Sequence, residues 1–382
     1  MKKLKLILAT AVVSLSLLAL TLFVAEWGVG KYVFVPGSAY SNIRNFITKP
    51  YGTAEYLPQP YVNYINNPAL KNPDGRYNNN AGLRLTYEVN LQKPDSIYRI
   101  LFLGGSTTYG CLVHDSDTYQ QRLAAILNTQ LPASGTPFKK VECLNGGMGA
   151  ATSAEILTHY LLKYQYMQPD LVLVNAGIND CGAYGNFSGA VYQPDYRHWR
   201  RPLQPFKEPS PFVKNLMRYN LVALLVIKLQ YSFYFTMTIT DNEFQYFNNQ
   251  NPWFTFGADS MFTTRYNAFY NNLKTVGLTA HSLRQKMLLV TEVIDTLTMP
   301  KDFVTLYHTS LLQNNRLLDS LAHNLPCAFL KLDNTEFTSK EFVNDDLDGI
   351  HLNPHGERLK AERMAPAIME IIKGKYPAYT YN

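Results

Sequence analysis

Arg99-Ile100-Leu101-Phe102-Leu103-Gly104-Gly105-Ser106-Thr107-Thr108-Tyr109-Gly110 decides the fold of this chain. Four apolar residues run straight into two glycines, a serine and two threonines. A continuous apolar run ended by Gly predicts a strand buried on both faces, as in a parallel sheet. The glycines allow a sharp turn at the carboxyl end of the strand, where open α/β sheets hold their ligands. Ser106 then stands at the rim of the sheet, just before a helix. Taken alone, the stretch favours a helix N-cap over a nucleophile, because Ser and Thr are preferred caps. The rest of the chain reverses that preference.

Working outward, the same strand-then-turn pattern recurs. Val141-Glu142-Cys143-Leu144-Asn145 predicts a second strand ending in Gly146-Gly147-Met148-Gly149-Ala150-Ala151-Thr152-Ser153. Asp170 to Asn175 predicts a third, ending in Ala176-Gly177-Ile178-Asn179-Asp180. Lys286 to Val293 and Cys327 to Leu332 predict a fourth and a fifth. Between them, helical spacing predicts helices over Ser116 to Leu131, Glu155 to Tyr166, Arg265 to Arg284 and Leu311 to His323, and a last helix over Glu357 to Ile372. Strands alternating with helices predict an α/β fold, a three-layer α/β/α sandwich around a parallel sheet. Residues 96–378 form this domain, with an insertion at about 181–262. Residues 29–95, rich in Tyr, Asn, Pro and Gly, read as an extended arm with a short strand at Leu83 to Val89.

At 382 residues the chain is long enough for one large domain with appendages. Its net charge of +6 is spread thinly, with no dense Lys/Arg stripe, which argues against nucleic-acid binding. Leu6 to Ala25 carries no charge and follows Met1-Lys2-Lys3-Leu4-Lys5. At ~1.5 Å per residue, a helix of that length matches a hydrocarbon core of ~30 Å. The lysines before it should stay in the cytoplasm, placing everything after Glu26 outside. Residues 1–28 therefore read as a signal anchor. A cleaved signal peptide is the competitor, but the run is long for one and no clean small-x-small site follows it. Within the insertion, Val213 to Leu229 reads as an apolar helix, interrupted by Arg218 and Lys228 and too short to span a bilayer: most simply a core or lid helix, with an interfacial role near the anchor as the alternative.

Cys111, Cys143, Cys181 and Cys327 show no C-x-x-C spacing, so zinc and redox motifs are absent. Cys143 and Cys327 sit in strand-like runs and read as buried small hydrophobes. Cys111 and Cys181 each follow a motif closely and are the candidate disulfide pair. The remaining histidines are scattered, which leaves no metal site. No Gly-Lys-Ser/Thr loop occurs, and Thr152 stands where a dinucleotide fingerprint needs its third glycine, so neither a nucleotide nor any other cofactor is expected.

The loops instead supply a hydroxyl, an imidazole, a carboxylate, a side-chain amide and backbone N–H groups, the set that acyl transfer requires. Asp348-Gly349-Ile350-His351 lets one loop bring a carboxylate and an imidazole to the same place, so that Asp348 can accept Nδ1–H while Nε2 faces Ser106. Asp345 and His355 are near competitors; His355, at a helix start, reads better as a surface or capping residue. Asn179 can aim its amide at a developing oxyanion or simply close an Asx-turn. Asp180 reads as a cap of the following helix.

Gly104-Gly105-Ser106-Thr107, Asn145 with Ala150-Ala151-Thr152-Ser153, Gly177-Ile178-Asn179-Asp180 and Asp348-Gly349-Ile350-His351 resemble, in order, blocks one, two, three and five of the SGNH (GDSL-type) hydrolase family. The resemblance spans roughly residues 79–375, including the Gly82-Leu83-Arg84 lead-in common in bacterial, membrane-anchored members. It implies Ser106 as nucleophile, His351 as base, Asp348 as orienting carboxylate, and an oxyanion hole from Ser106, Asn179 and Gly149 or Ala150. Two positions depart from the pattern: Ala150 aligns with the second-block glycine, and Gly105 stands where the family name has Asp. The α/β-hydrolase elbow G-x-S-x-G is excluded by Thr108.

The reading is a serine esterase anchored in the cell envelope, outside the cytoplasm, acting on O-acylated and foremost O-acetylated carbohydrate. Its rivals are a lipase or thioesterase, an O-acyltransferase and an inactive glycan-binding module. Tyr231, Phe233, Tyr234, Phe235, Phe244, Tyr246, Phe247, Trp253 and Phe254, interleaved with Asn248, Asn249, Gln250 and Asn251, suit sugar faces better than an acyl tail. They suit the aromatic core of an irregular subdomain equally well.

Overall fold

The computed structural model describes residues 2–36, 38, 40, 41, 44, 48, 55–59, 61–69, 75, 77–183, 196, 210–231, 267–295, 301–343 and 349–376. The chain divides into two compact units, one of Met1–Ala54 with Leu203–Thr238 and one of Glu55–Pro202 with Ile239–Asn382.

The larger unit is built on a sheet of β3 (Ile97–Gly104), β4 (Lys140–Asn145), β5 (Leu171–Asn175), β6 (Lys286–Val290) and β7 (Ala328–Leu330), in the order β4-β3-β5-β6-β7. Every pairing is parallel. Alternate side chains along each strand point to opposite faces, and both faces are covered. Leu101, Leu103, Leu144, Val172, Val174 and Leu289 pack on one side, against Ile156 and Tyr160, Phe269 and Leu273, and Leu318 and Leu321. These come from the helices Ser153–Leu162, Ala268–Ser282 and Lys301–Asn324. Ile100, Phe102, Val141, Leu171, Leu173 and Val290 pack on the other, against Leu123 and Leu127 of Tyr119–Gln130 and Met364 and Ile368 of Pro354–Ile372. The expected three-layer α/β/α sandwich is therefore what forms.

The differences lie at element ends and in the arm. The first expected helix opens with a 3-10 turn, Asp115–Asp117, and its α-helical part begins only after Thr118. The helix expected from Leu311 extends back to Lys301. The apolar helix of the insertion is broken into Pro211–Leu216 and Asn220–Val226. Leu83 to Val89 forms no strand. Leu83, Arg84 and Leu85 are all buried, but the Leu83 N–H goes to the Asn79 side chain, and the Arg84 N–H bonds a strand end, at Asn145 O. Extended backbone without a neighbour to continue the ladder is not a strand. A hairpin of β1 (Tyr56–Gln59) and β2 (Asn63–Asn66) forms upstream instead.

None of the four cysteines forms a disulfide, so the suggested Cys111–Cys181 bridge is absent. Cys181 is buried, its thiol on Gly177 O and within reach of the Asn314 amide. Cys143 and Cys327 are buried, as expected.

One buried ion pair fixes the register at the start of the sheet. Arg99 and Glu142 face each other on β3 and β4, 2.6 Å apart and nearly inaccessible. Arg99 also donates to Asn90 O and Met167 O, so its guanidinium stitches strand, arm and loop. Removing one partner strands a buried charge, a loss of about 3–5 kcal/mol. Arg99→Ala should therefore lower unfolding free energy by that order in urea titrations followed by circular dichroism. Arg99→Met combined with Glu142→Leu should recover much of it.

Candidate active site

Four turns meet at the carboxyl edge of the sheet. β3 ends in Gly104 and Gly105 and passes into the one-turn helix Ser106–Tyr109, closed by Gly110 at φ 75°. A side chain at Gly104 would overlap Thr108 and Asn175 O, and one at Gly105 would overlap the Asn179 amide. Gly104 is thus required by its approach to backbone, whereas a side chain at Gly105 would have to displace the Asn179 amide. Thr108 donates its hydroxyl to Asn175 O at 2.9 Å, and Met148 donates its N–H to Gly104 O at 3.1 Å.

Ser106 Oγ lies 2.7 Å from His351 Nε2. The two are far apart in sequence, and several contacts hold the His351 strip in place. Val343 donates its N–H to His351 O, Phe342 pairs with Leu352, and Asp295 donates its N–H to Gly349 O. Asn353 then caps the last helix through the N–H groups of His355 and Gly356. His355 is exposed and pairs with Glu341 at 3.0 Å, in keeping with a surface role. Asp348 and Asp345 lie outside the described residues.

Asn179, at the start of helix Ile178–Ala183, donates Nδ2–H to Ala151 O at 2.9 Å. Ala150 has φ 57°, so an alanine here takes the left-handed conformation usual for glycine. The hairpin holds the neighbouring carbonyls: Tyr64 Oη donates to Gly149 O at 2.8 Å, and Asn66 Nδ2 donates to Gly147 O at 2.9 Å. Ser106, His351, Asn179, Gly149 and Ala150 thus belong to turns that converge on one rim.

Beneath the rim lie charged groups that the sequence reading passed over. Glu292, just past β6, accepts the Thr107 hydroxyl at 2.5 Å and the Ile178 N–H at 2.6 Å. It therefore clamps the residue after Ser106 to the residue before Asn179. Burial raises its pKa, against the pull of these two donors and of Lys360 and His351. Lys360 is buried too, donating to Asn175 Oδ1 at 2.6 Å, and burial lowers its pKa. Asp180 is no simple helix cap. It accepts from Ser153 N–H, Ser153 Oγ and Tyr196 Oη, and burial pushes it up to about 7. The available signal for Glu292 is a carboxylate just past the apolar run Met287-Leu288-Leu289-Val290.

Glu357 shows what this burial does to stability. It accepts the Tyr119 N–H at 2.6 Å, and burial pushes its pKa up to about 7 despite Lys360 nearby. The folded value lies above the unfolded one of about 4.3. Its contribution is therefore complete below about pH 4 and is lost as pH rises through about 7. Stability should fall between pH 5 and 8, and Glu357→Gln, neutral throughout, should flatten that fall by up to about 3 kcal/mol. Thermal melts across that range check the slope.

The profile of the GDSL-like lipase/acylhydrolase family matches residues 102–359. No curated protein matches the chain. Similar solved structures include a GDSL-like lipase from Bacteroides thetaiotaomicron VPI-5482, at 13% identity and a TM-score of 0.36, over 72% of this chain and 88% of that one. A catalytic mutant of an acetylxylan esterase from Geobacillus stearothermophilus is similar at 13% identity and 0.38, over 74% and 97%. The acetyl xylan esterase AlAXEase is similar at 14% identity and 0.40, over 71% and 99%. Superpositions this loose say nothing about substrate. The family match covers about two thirds of the chain and includes both Ser106 and His351, and the chain belongs to the GDSL-like lipase/acylhydrolase family of esterases.

Proposed function

We propose that this esterase is anchored in a membrane, faces away from the cytoplasm and removes acyl groups, chiefly acetyl, from carbohydrate through a Ser-His-Asp triad. The observation that carries the catalytic reading is the 2.7 Å contact between Ser106 Oγ and His351 Nε2. Ser106 attacks the ester carbonyl as its proton passes to Nε2, which requires Nδ1 of the neutral ring to carry the other hydrogen. Asp348, three residues before His351, is the carboxylate assigned to hold that hydrogen. The carbonyl oxygen becomes an oxyanion. The ester C–O bond then breaks, the leaving alcohol takes the proton from His351, and water releases the acyl group from Ser106 by the same steps.

Asn179 is assigned to the oxyanion. Its amide has two hydrogens, and the bond to Ala151 O uses one of them. That bond fixes the plane of the amide and leaves the second hydrogen for substrate. The N–H groups of Ser106 and of Gly149 or Ala150 complete the set. The glycine-like φ of Ala150 is compatible with the backbone role that its family position implies.

The anchor reading is supported by helix Lys2–Tyr32, the one described helix long and apolar enough to cross a membrane. The carbohydrate reading is supported by the aromatic and amide residues between Tyr231 and Phe254, most of which lie outside the described residues.

Ser106→Ala and His351→Ala should each lower ester hydrolysis by about four to six orders of magnitude with the fold intact. Asp348→Asn should also be severe, through the wrong tautomer. Retention of a tenth of the activity in either alanine variant removes the proposed nucleophile–base pair. Asn179→Ala should cost about 3 kcal/mol, in kcat rather than KM, because the charge it meets exists only in the transition state. Across acyl chains, kcat/KM should be higher for acetyl than for octanoyl esters. A fatty-acyl groove would instead gain ~0.8 kcal/mol per buried methylene, and a steady climb toward octanoyl would replace the carbohydrate reading with a lipase.

A further inference from the structure

The smaller unit contains a contact that membrane anchoring by itself does not require. The uncharged run of helix Lys2–Tyr32 ends at Ala25, and Glu26 follows directly. Glu26 does not face water alone: its carboxylate accepts the N–H of Asn220 at 2.5 Å and the N–H of Leu221 at 2.8 Å, and its carbonyl accepts the Asn220 side chain at 3.2 Å. It thereby satisfies the free donors at the start of helix Asn220–Val226, almost two hundred residues away. Arg44 adds a bond to Asn220 Oδ1 at 2.6 Å and another to Arg218 O. Gly30 permits the approach, since a Cβ there would overlap the Asn220 amide.

We propose that residues 211–231 lie in the lipid–water interface of the membrane that holds helix Lys2–Tyr32. This rests on the anchor reading above. If Leu6 to Ala25 spans the hydrocarbon, Glu26 marks its outer edge, and the bonds to Glu26 fix the start of the second helix at that depth. Trp27 and Tyr32, 56% and 70% exposed with Lys31 Nζ 4.9 Å from the Trp27 ring, have the chemistry of an interfacial belt. The segment is also apolar on its outside. Met217, Ala223 and Ile227 are buried against Phe34 and Tyr40, yet Phe212 and Leu229 are 71% and 74% exposed, and Leu225 and Tyr219 are exposed beside them. Lys214, Arg218 and Lys228 are its only charged residues, and cations beside large apolar side chains suit anionic headgroups above acyl chains. The bilayer is the apolar phase that the bonds to Glu26 keep within reach of this face, which favours lipid over a second copy of the chain.

The test uses the full chain reconstituted in phosphatidylethanolamine–phosphatidylglycerol vesicles. Phe212→Cys and Leu229→Cys, in a Cys111→Ser background, are labelled with an environment-sensitive fluorophore; Leu278→Cys, an exposed position of helix Ala268–Ser282 in the larger unit, is the reference. Spin-labelled lipid should quench the first two about threefold or more over the reference, and aqueous cobalt should quench them less. Glu26→Ala should weaken the lipid quenching at Leu229→Cys while the protein still resists alkaline carbonate. Equal quenching at all three positions in carbonate-resistant protein overturns the proposal and leaves the anchor standing. Release by carbonate overturns both. Shielding from cobalt without lipid quenching, together with cross-linked dimers, assigns the face to a second copy and also overturns the proposal.

Discussion

The carboxylate of Glu292 is the constraint on which the rim of the sheet depends. One oxygen takes the Thr107 hydroxyl and the other takes the Ile178 N–H, so a single rigid group sets the distance between two turns that leave different strands. Ser106 and Asn179 each lie one residue from a clamped position. Burial disfavours the charge, and hydrogen bonds together with Lys360 favour it. A buried acceptor with two short bonds is rigid because neither donor has water as an alternative. The position of the hydroxyl relative to the amide thus follows from a group that touches neither.

A second layer of buried polar contacts carries the same order outward. Lys360 on the last helix reaches Asn175 at the end of β5, and Asn175 in turn donates to Val290 O, at the end of β6, and to Thr291 O just past it. Asp180 ties the start of helix Ser153–Leu162 to the turn of Asn179 through the Ser153 backbone and hydroxyl. The hairpin adds Tyr64 and Asn66 to the carbonyls of the Gly147–Gly149 loop. A loop made largely of glycine has little intrinsic stiffness, so its shape is imposed by these donors. Each contact is satisfied on both sides, the condition under which burying polar groups specifies one arrangement.

In the smaller unit the same chemistry serves another end. Glu26 replaces water at a helix start just where a membrane-spanning run would leave the hydrocarbon, so a distant segment is seated by two backbone bonds. The contrast between the units is one of core size. The larger buries two sheets of side chains, whereas the smaller buries few and leaves large apolar residues outside.

The sequence by itself determined the sheet and the order of the site. Continuous apolar runs ending in Gly or Asn were legible because a strand buried on both faces has no polar alternation to blur it. The turns at Ser106, Asn179 and His351 were legible because Gly, Asn and Ser accept the tight backbone those positions need. Helix ends were less so, since Thr118 and Asn353 became caps only once neighbours fixed where each helix could begin. Leu83 to Val89 had the alternation of a strand, but a ladder needs a partner that no local pattern supplies. Glu292, Lys360 and Asp180 were invisible for a deeper reason. Their roles are set by residues from 16 to 185 positions away, and a charged residue in sequence looks like surface until tertiary packing removes the water around it.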